Sequence, residues 1–191
     1  KTRIFDAPKV PIPNSLVPKY RDKISTQASF GNILHDLSRG NSALASRIIT
    51  TSPDVSVSTN LGPWVNQRGV FSLDVRNDVF RDEKVASAQK WLRHGGGQHM
   101  ELGIAESNLF TMLAALGLSG PIFGTRLLPV GTLYDPFIAR GLDALNYACY
   151  QDARFMLVAT PAGITLAPEG GAHQSVSTPL IGMGQPGLIS F

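Results

Sequence analysis

The spacing of apolar positions changes several times along this chain, and each change marks an element. Phe30, Ile33, Leu34 and Leu37 recur at i, i+3, i+4 and i+7, which predicts an amphipathic helix. Ser25 or Thr26 can cap its start and Gly40 can close it. The short run RIITTS (47–52) predicts a buried strand, and PDVSVSTNLGPWVNQRG (53–69) is a loop rich in turn formers. Charge is concentrated in 74–97, which reads as a surface excursion. Its triple glycine, followed by Gln98 and His99, matches no phosphate motif and reads as a hinge. Residues 107–118 predict a helix and 126–131 a strand. Residues 134–151 predict a helix with Asp135 at the N-cap and Pro136 at its first position. A strand run with a turn (153–163), a loop punctuated by Gly and Pro (164–179) and a short strand (186–190) follow. Helices alternating with short apolar strands predict an α/β domain with a mainly parallel sheet and helices on both faces. In such sheets, function collects in loops at the carboxyl ends of the strands. Glu106, residues 134–137 and residues 168–175 fall there.

Residues 1–24 hold four of the 13 prolines and the charged run KYRDK, and predict an extended lead-in. The domain proper is then 25–191. Of the 191 residues, 43% are hydrophobic and only 16% charged, against about 25% charge in ordinary domains. So little charge implies that a second domain or subunit covers part of the surface. A net charge of +3 without a Lys/Arg run does not point to nucleic acid. A single cysteine, Cys149, excludes an intrachain disulfide. That indicates an intracellular, cytoplasmic protein, with Cys149 as a small buried apolar residue. No apolar run approaches the ~18 residues of a membrane helix, and no signal peptide is present. The chain starts without Met and ends GLISF, as a fragment of a longer protein would.

Four side chains invite a chemical reading. Glu106 stands where an apolar helix begins, with a second carboxylate, Glu101, five residues earlier. It is either a helix N-terminal charge favouring the macrodipole or a buried acid that serves a ligand nitrogen and moves a proton. His173, in EGGAHQS, is either a surface histidine or one left with room for a ligand by its small neighbours. Tyr134 and Phe137, about one turn apart, suit either a core or a ring-stacking site. No zinc-ligand spacing links the histidines and no Gly-x-Ser-x-Gly elbow is present, so no metal site is expected on this chain.

Taken in order and spacing, ELGIAESN (101–108), GTLYDPFIAR (131–140) and APEGGAHQS (167–175) resemble the pyrimidine-binding domain of the transketolase superfamily of thiamine diphosphate enzymes. TTSPDVSVSTNLG (50–62) resembles the stretch opening that domain, through Ser52, Asp54, Val55, Ser58 and Asn60, with Pro53 in place of a small residue. GTLYDPFIARGLDAL and YACYQDARF are more similar to the homodimeric decarboxylase component of pyruvate dehydrogenase than to transketolase proper. The resemblance runs from about Thr26 to Phe191. It implies that this chain receives the aminopyrimidine ring. A diphosphate-binding domain of the same or another subunit, absent here with its Gly-Asp-Gly motif and the C-terminal domain, holds the diphosphate and Mg2+. It implies that Glu106 bonds the ring nitrogen and favours the tautomer that deprotonates the thiazolium carbon. Phe137 then stacks on the pyrimidine beside Tyr134, Val55 presses the cofactor into its bent shape and Asp54 joins the cofactor-binding set. His173 faces the reacting carbonyl. The expected enzyme decarboxylates pyruvate or another 2-oxo acid, or transfers a two-carbon ketol unit from a ketose. A non-catalytic assembly module is the rival. A full-length homodimer is expected, with this chain alone inactive.

Overall fold

The structure, a computed structural model, describes residues 5–17 and 23–191. Most of the KYRDK run lies outside the described residues. Residues 5–17 form neither helix nor strand, but Phe5 N–H donates to the Pro121 carbonyl at 3.1 Å. Helix α1 (Thr26–Ser38) starts at Ser25, whose side chain accepts from Ala28 N–H. Strand β1 (Ile48–Ser52) follows, then α2 (Gly62–Arg68), β2 (Val70–Phe71), α3 (Val79–Asp82), β3 (Arg93–His94) and β4 (His99–Glu101). The second half contains α4 (Glu106–Gly117), α5 (Ser119–Phe123), β5 (Leu128–Leu133), a 3-10 stretch Asp135–Gly141, α6 (Leu142–Tyr150), β6 (Met156–Ala159) and α7 (Thr178–Gly184).

The six strands form one sheet in the order β3-β2-β4-β1-β5-β6, and every pairing is parallel. Parallel neighbours need crossover connections, and those from β1 to β2, from β4 to β5 and from β5 to β6 carry helices, whereas β3 and β4 are joined by residues 95–98 alone. One apolar cluster joins Leu34 of α1, Leu61, Trp64 and Val65 around α2, and Ile48, Val70 and Val130 of the sheet. A second joins Leu109, Phe110 and Leu113 of α4 to Leu133, Ile138 and Leu145. Val130 and Leu133 of β5 belong to different clusters, as the period of two along a strand requires. The predicted α/β class with helices on both faces is the observed one.

Several local readings differ, first the predicted loop 53–69, whose second half is helix α2 with Trp64 and Val65 in the core. Residues 186–190 are not a strand; Leu188 and Ile189 line an apolar hollow of about 720 Å3 beside β6 and α7. The predicted loop 164–179 runs into helix α7, whose Pro179 sits in its first turn. The triple glycine links β3 to β4 and is packed at Gly97, where a Cβ would lie 2.2 Å from the Val70 carbonyl carbon. Close backbone approach, rather than hinge freedom, accounts for that glycine.

Candidate functional site

Parallel strands bring their carboxyl ends to one rim, and the chemistry-bearing loops leave from there. β1 leads into the 53–60 turn, β4 into the first turn of α4, β5 into Tyr134–Phe137, and β6 into the loop that carries His173. Asp54 and Asn60 both have φ of 63°, a left-handed conformation that Asp and Asn tolerate better than most residues. Between them the chain makes a helical turn, with Thr59 N–H donating to the Val55 carbonyl at 2.9 Å. Gly103, at φ 64°, lets the chain swing from β4 into α4. Glu106 becomes the first residue of α4, with no side-chain cap ahead of it.

Glu106 is buried, yet its surroundings are not purely apolar. Arg140 Nη1 donates to Glu106 Oε1 at 3.0 Å, with side-chain exposures of 53% and 9% for Arg140 and Glu106. The same guanidinium lies 4.1 Å from the centroid of the Phe137 ring. One planar cation thus touches both the carboxylate and the aromatic face. Glu106 is thus a buried acid with a counter-ion, Arg140, which stands three residues after Phe137.

Tyr134, Phe137 and His173 form a ring cluster. The His173 centroid is 5.4 Å from Phe137 and 6.2 Å from Tyr134, with Tyr134 6.0 Å from Phe137. His173 Nε2 is 3.6 Å from Glu169 Oε2, and its buried Nδ1 has no hydrogen-bond partner. A buried ring nitrogen left without a partner is costly and suits a ligand contact. Tyr134 O–H donates to Ser58 Oγ at 2.8 Å, which links the cluster to the Val55 turn. Thr59 Oγ1 bonds the Val55 carbonyl at 2.7 Å and Thr132 Oγ1 of β5 at 2.8 Å, fixing Val55 from below. Asp54 stands apart from this group: its backbone N–H donates to Glu101 Oε1 at 2.9 Å, while the residue is exposed.

Several site-building residues carry no sequence signal of their own. Gln27 of α1 donates to the Ser58 carbonyl and accepts from Thr160 Oγ1 at 2.7 Å, tying two of the loops together. Asp135, predicted as an N-cap, is buried, and its carboxylate accepts the Gly163 N–H at 3.2 Å. That bond anchors the loop leading to His173. Arg140 follows Phe137 by one turn, a spacing that could have flagged it. Burial would raise the Glu101 carboxyl, but hydrogen bonds from His99, Ser56 and the Asp54 N–H outweigh it and hold the group below its ordinary value. Burial pushes the Cys149 thiol up, as for a packing residue. Among the described residues, no group of three or more His, Cys, Asp or Glu side chains is placed to hold a metal ion. Nor is any described helix long and apolar enough to cross a membrane.

No family model matches the chain, and no curated protein does. Solved structures do. A Leishmania mexicana transketolase superposes over 89% of this chain with a TM-score of 0.66 at 21% identity. The fold is one found within transketolases. A Campylobacter jejuni transketolase gives 0.61 over 84% at 17% identity. A Pichia stipitis transketolase variant in complex with fructose 6-phosphate gives 0.60 over 95% at 17% identity. This chain spans only 20–22% of the length of these proteins.

Proposed function

We propose that this chain is the pyrimidine-binding domain of a thiamine diphosphate-dependent enzyme of the transketolase superfamily, with residues 25–191 as the domain and 1–24 as its lead-in. The observation that carries the proposal is the meeting of Glu106 and Phe137 on one guanidinium. An acid oxygen and an aromatic face reachable by one flat N–H donor are what an aminopyrimidine ring requires. The residues present fit that ring. The unpartnered His173 Nδ1 beside Phe137 adds a polar atom still to be satisfied.

The bound cofactor would supply a thiazolium carbon that attacks a carbonyl. Everything else falls to this chain. Glu106 holds and moves the proton at the pyrimidine ring nitrogen, a role that general acid–base groups fill from partly buried positions. Phe137 stacks on the ring and Tyr134 flanks it, held by Ser58. Val55 presses from the 53–60 turn, with Asp54 at the head of that turn. His173 faces the reacting carbonyl and donates a hydrogen bond or proton. The diphosphate and Mg2+ are held by another domain, of the same or a partner subunit, and the full-length enzyme is a cytoplasmic homodimer.

The substrate is a 2-oxo acid, pyruvate first, on the likeness of residues 131–155 to the pyruvate dehydrogenase decarboxylase component. Ketol transfer is the second reading, favoured by neighbours that are transketolases, one holding fructose 6-phosphate. The test is to titrate the full-length enzyme with thiamine diphosphate and Mg2+, then assay pyruvate decarboxylation and ketose-dependent ketol transfer side by side. Cofactor binding with pyruvate turnover supports the first reading, and ketol transfer alone supports the second. Failure to bind thiamine diphosphate would leave an assembly module.

A further inference from the structure

His99 is fully buried at the start of β4, under the 53–60 turn, in a place an apolar residue could fill. Instead both ring nitrogens are engaged. Nδ1 is 2.9 Å from Thr50 Oγ1, its register partner on β1, and Nε2 is 3.0 Å from Ser56 Oγ and 3.3 Å from Glu101 Oε2. Ser56 O–H donates to the same Glu101 oxygen at 2.6 Å, and the other Glu101 oxygen accepts the Asp54 N–H. Trp91 closes the site, its ring centroid 6.2 Å from that of His99. A pair with one fully buried and one part-buried ionisable group is weak support for stability, because desolvation offsets the attraction. What such a pair supplies is direction: it fixes the groups it bonds.

The bonded groups belong to one turn. Glu101 holds Asp54 and Ser56 on either side of Val55, while Thr59 ties the far end of the turn to β5. We propose that His99 is a positioning residue, orienting the Glu101 carboxylate so that the turn carrying Val55 and Ser58 is held in the conformation that receives the cofactor. The inference rests on the proposed pyrimidine-binding reading for its ligand, but not for its geometry. His99 acts through Glu101 and touches no substrate. Ser58 transmits the fixed turn to Tyr134, whose hydroxyl it accepts.

The test compares His99→Leu, which keeps bulk and loses both nitrogens, with His99→Gln, which keeps a donor directed at Glu101 and Ser56. Backbone hydrogen exchange of the ligand-free full-length protein should rise about tenfold or more at residues 54–59 in the Leu variant, with β1 and α4 little changed. The Gln variant should restore most of that protection. Thiamine diphosphate, titrated with Mg2+, should bind the Leu variant about tenfold more weakly and the Gln variant nearly as wild type. Exchange that rises equally across the sheet, or an unchanged turn, overturns the proposal. Should the Leu variant not fold, Ser56→Ala breaks the same link from the turn side. Localised loss of protection there supports the proposal and an unaffected turn overturns it. A wild-type protein that binds no thiamine diphosphate would defeat the functional reading, while the exchange comparison still decides the role of His99 in holding the turn.

Discussion

Replacing Arg140 with Met removes a charge from Glu106 while keeping an apolar stem near Phe137. At 3.0 Å, two unit charges attract by about 1.4 kcal/mol in bulk water and about 5.5 kcal/mol at an effective dielectric of 20. The real pair falls low in that range, because the Arg140 side chain is half exposed and desolvation offsets part of the gain. The cation over Phe137 contributes about 0.5–1 kcal/mol more. Arg140→Met should therefore cost about 1–2 kcal/mol, or roughly 2–8 °C in melting temperature for a domain of this size. A double-mutant cycle with Glu106→Gln, measured by urea denaturation, isolates the pair. The coupling should be at least about 0.5 kcal/mol, the lower limit for side chains in contact. Additive effects would show that Glu106 and Arg140 do not meet, and the shared contact behind the functional reading would go with them.

Acid should weaken the 53–60 turn. The Glu101 carboxyl is held below its ordinary 4.5 in the folded chain, so the unfolded chain takes up that proton first. Its contribution is present above about pH 4.5 and is lost as pH falls through the lower folded value. Stability measured from pH 6 downward should fall more steeply in wild type than in Glu101→Gln; parallel curves would contradict this. Asp135→Asn should loosen the His173 loop by weakening the bond to Gly163 N–H. Hydrogen exchange at 163–175 should rise severalfold, as expected for a weakened charge-assisted bond, with α4 unaffected; an unchanged loop would refute the anchoring role.

What could be read in advance followed from periodicity and from short motifs. Helix α1 and strand β1 have clear apolar spacing and good start signals, and both occur within a residue or two of their predicted bounds. Strands β2, β3 and β4 are two or three residues long, and β4 holds a single apolar residue, Met100, so no pattern marks them. They are strands because neighbours in the sheet complete their hydrogen bonds. The apolar run at 186–190 looks like a strand but pairs with none, since its side chains line a hollow instead. Helix α7 was hidden by Pro179, Gly182 and Gly184. In the candidate site, Glu106, Tyr134, Phe137 and His173 could be singled out because they sit in recognisable segments. The bonds of Arg140 to Glu106, of Gln27 to Ser58 and Thr160, and of His99 to Thr50 and Ser56 join residues far apart in sequence, and no local pattern encodes them.

The most direct measurement of the central claim is hydrogen–deuterium exchange at the thiazolium carbon of thiamine diphosphate bound to the full-length enzyme, followed by proton NMR. Glu106→Gln keeps the shape of the acid but cannot transfer its proton. Loss of a general acid–base group costs about 100- to 10,000-fold in rate. The folded, cofactor-bound Glu106→Gln enzyme should exchange that proton slower by such a factor, while His173→Ala, altered on the substrate side, should exchange nearly as fast as wild type. Equal exchange in wild-type and Glu106→Gln enzymes would contradict the assignment of Glu106 as the proton partner of the pyrimidine.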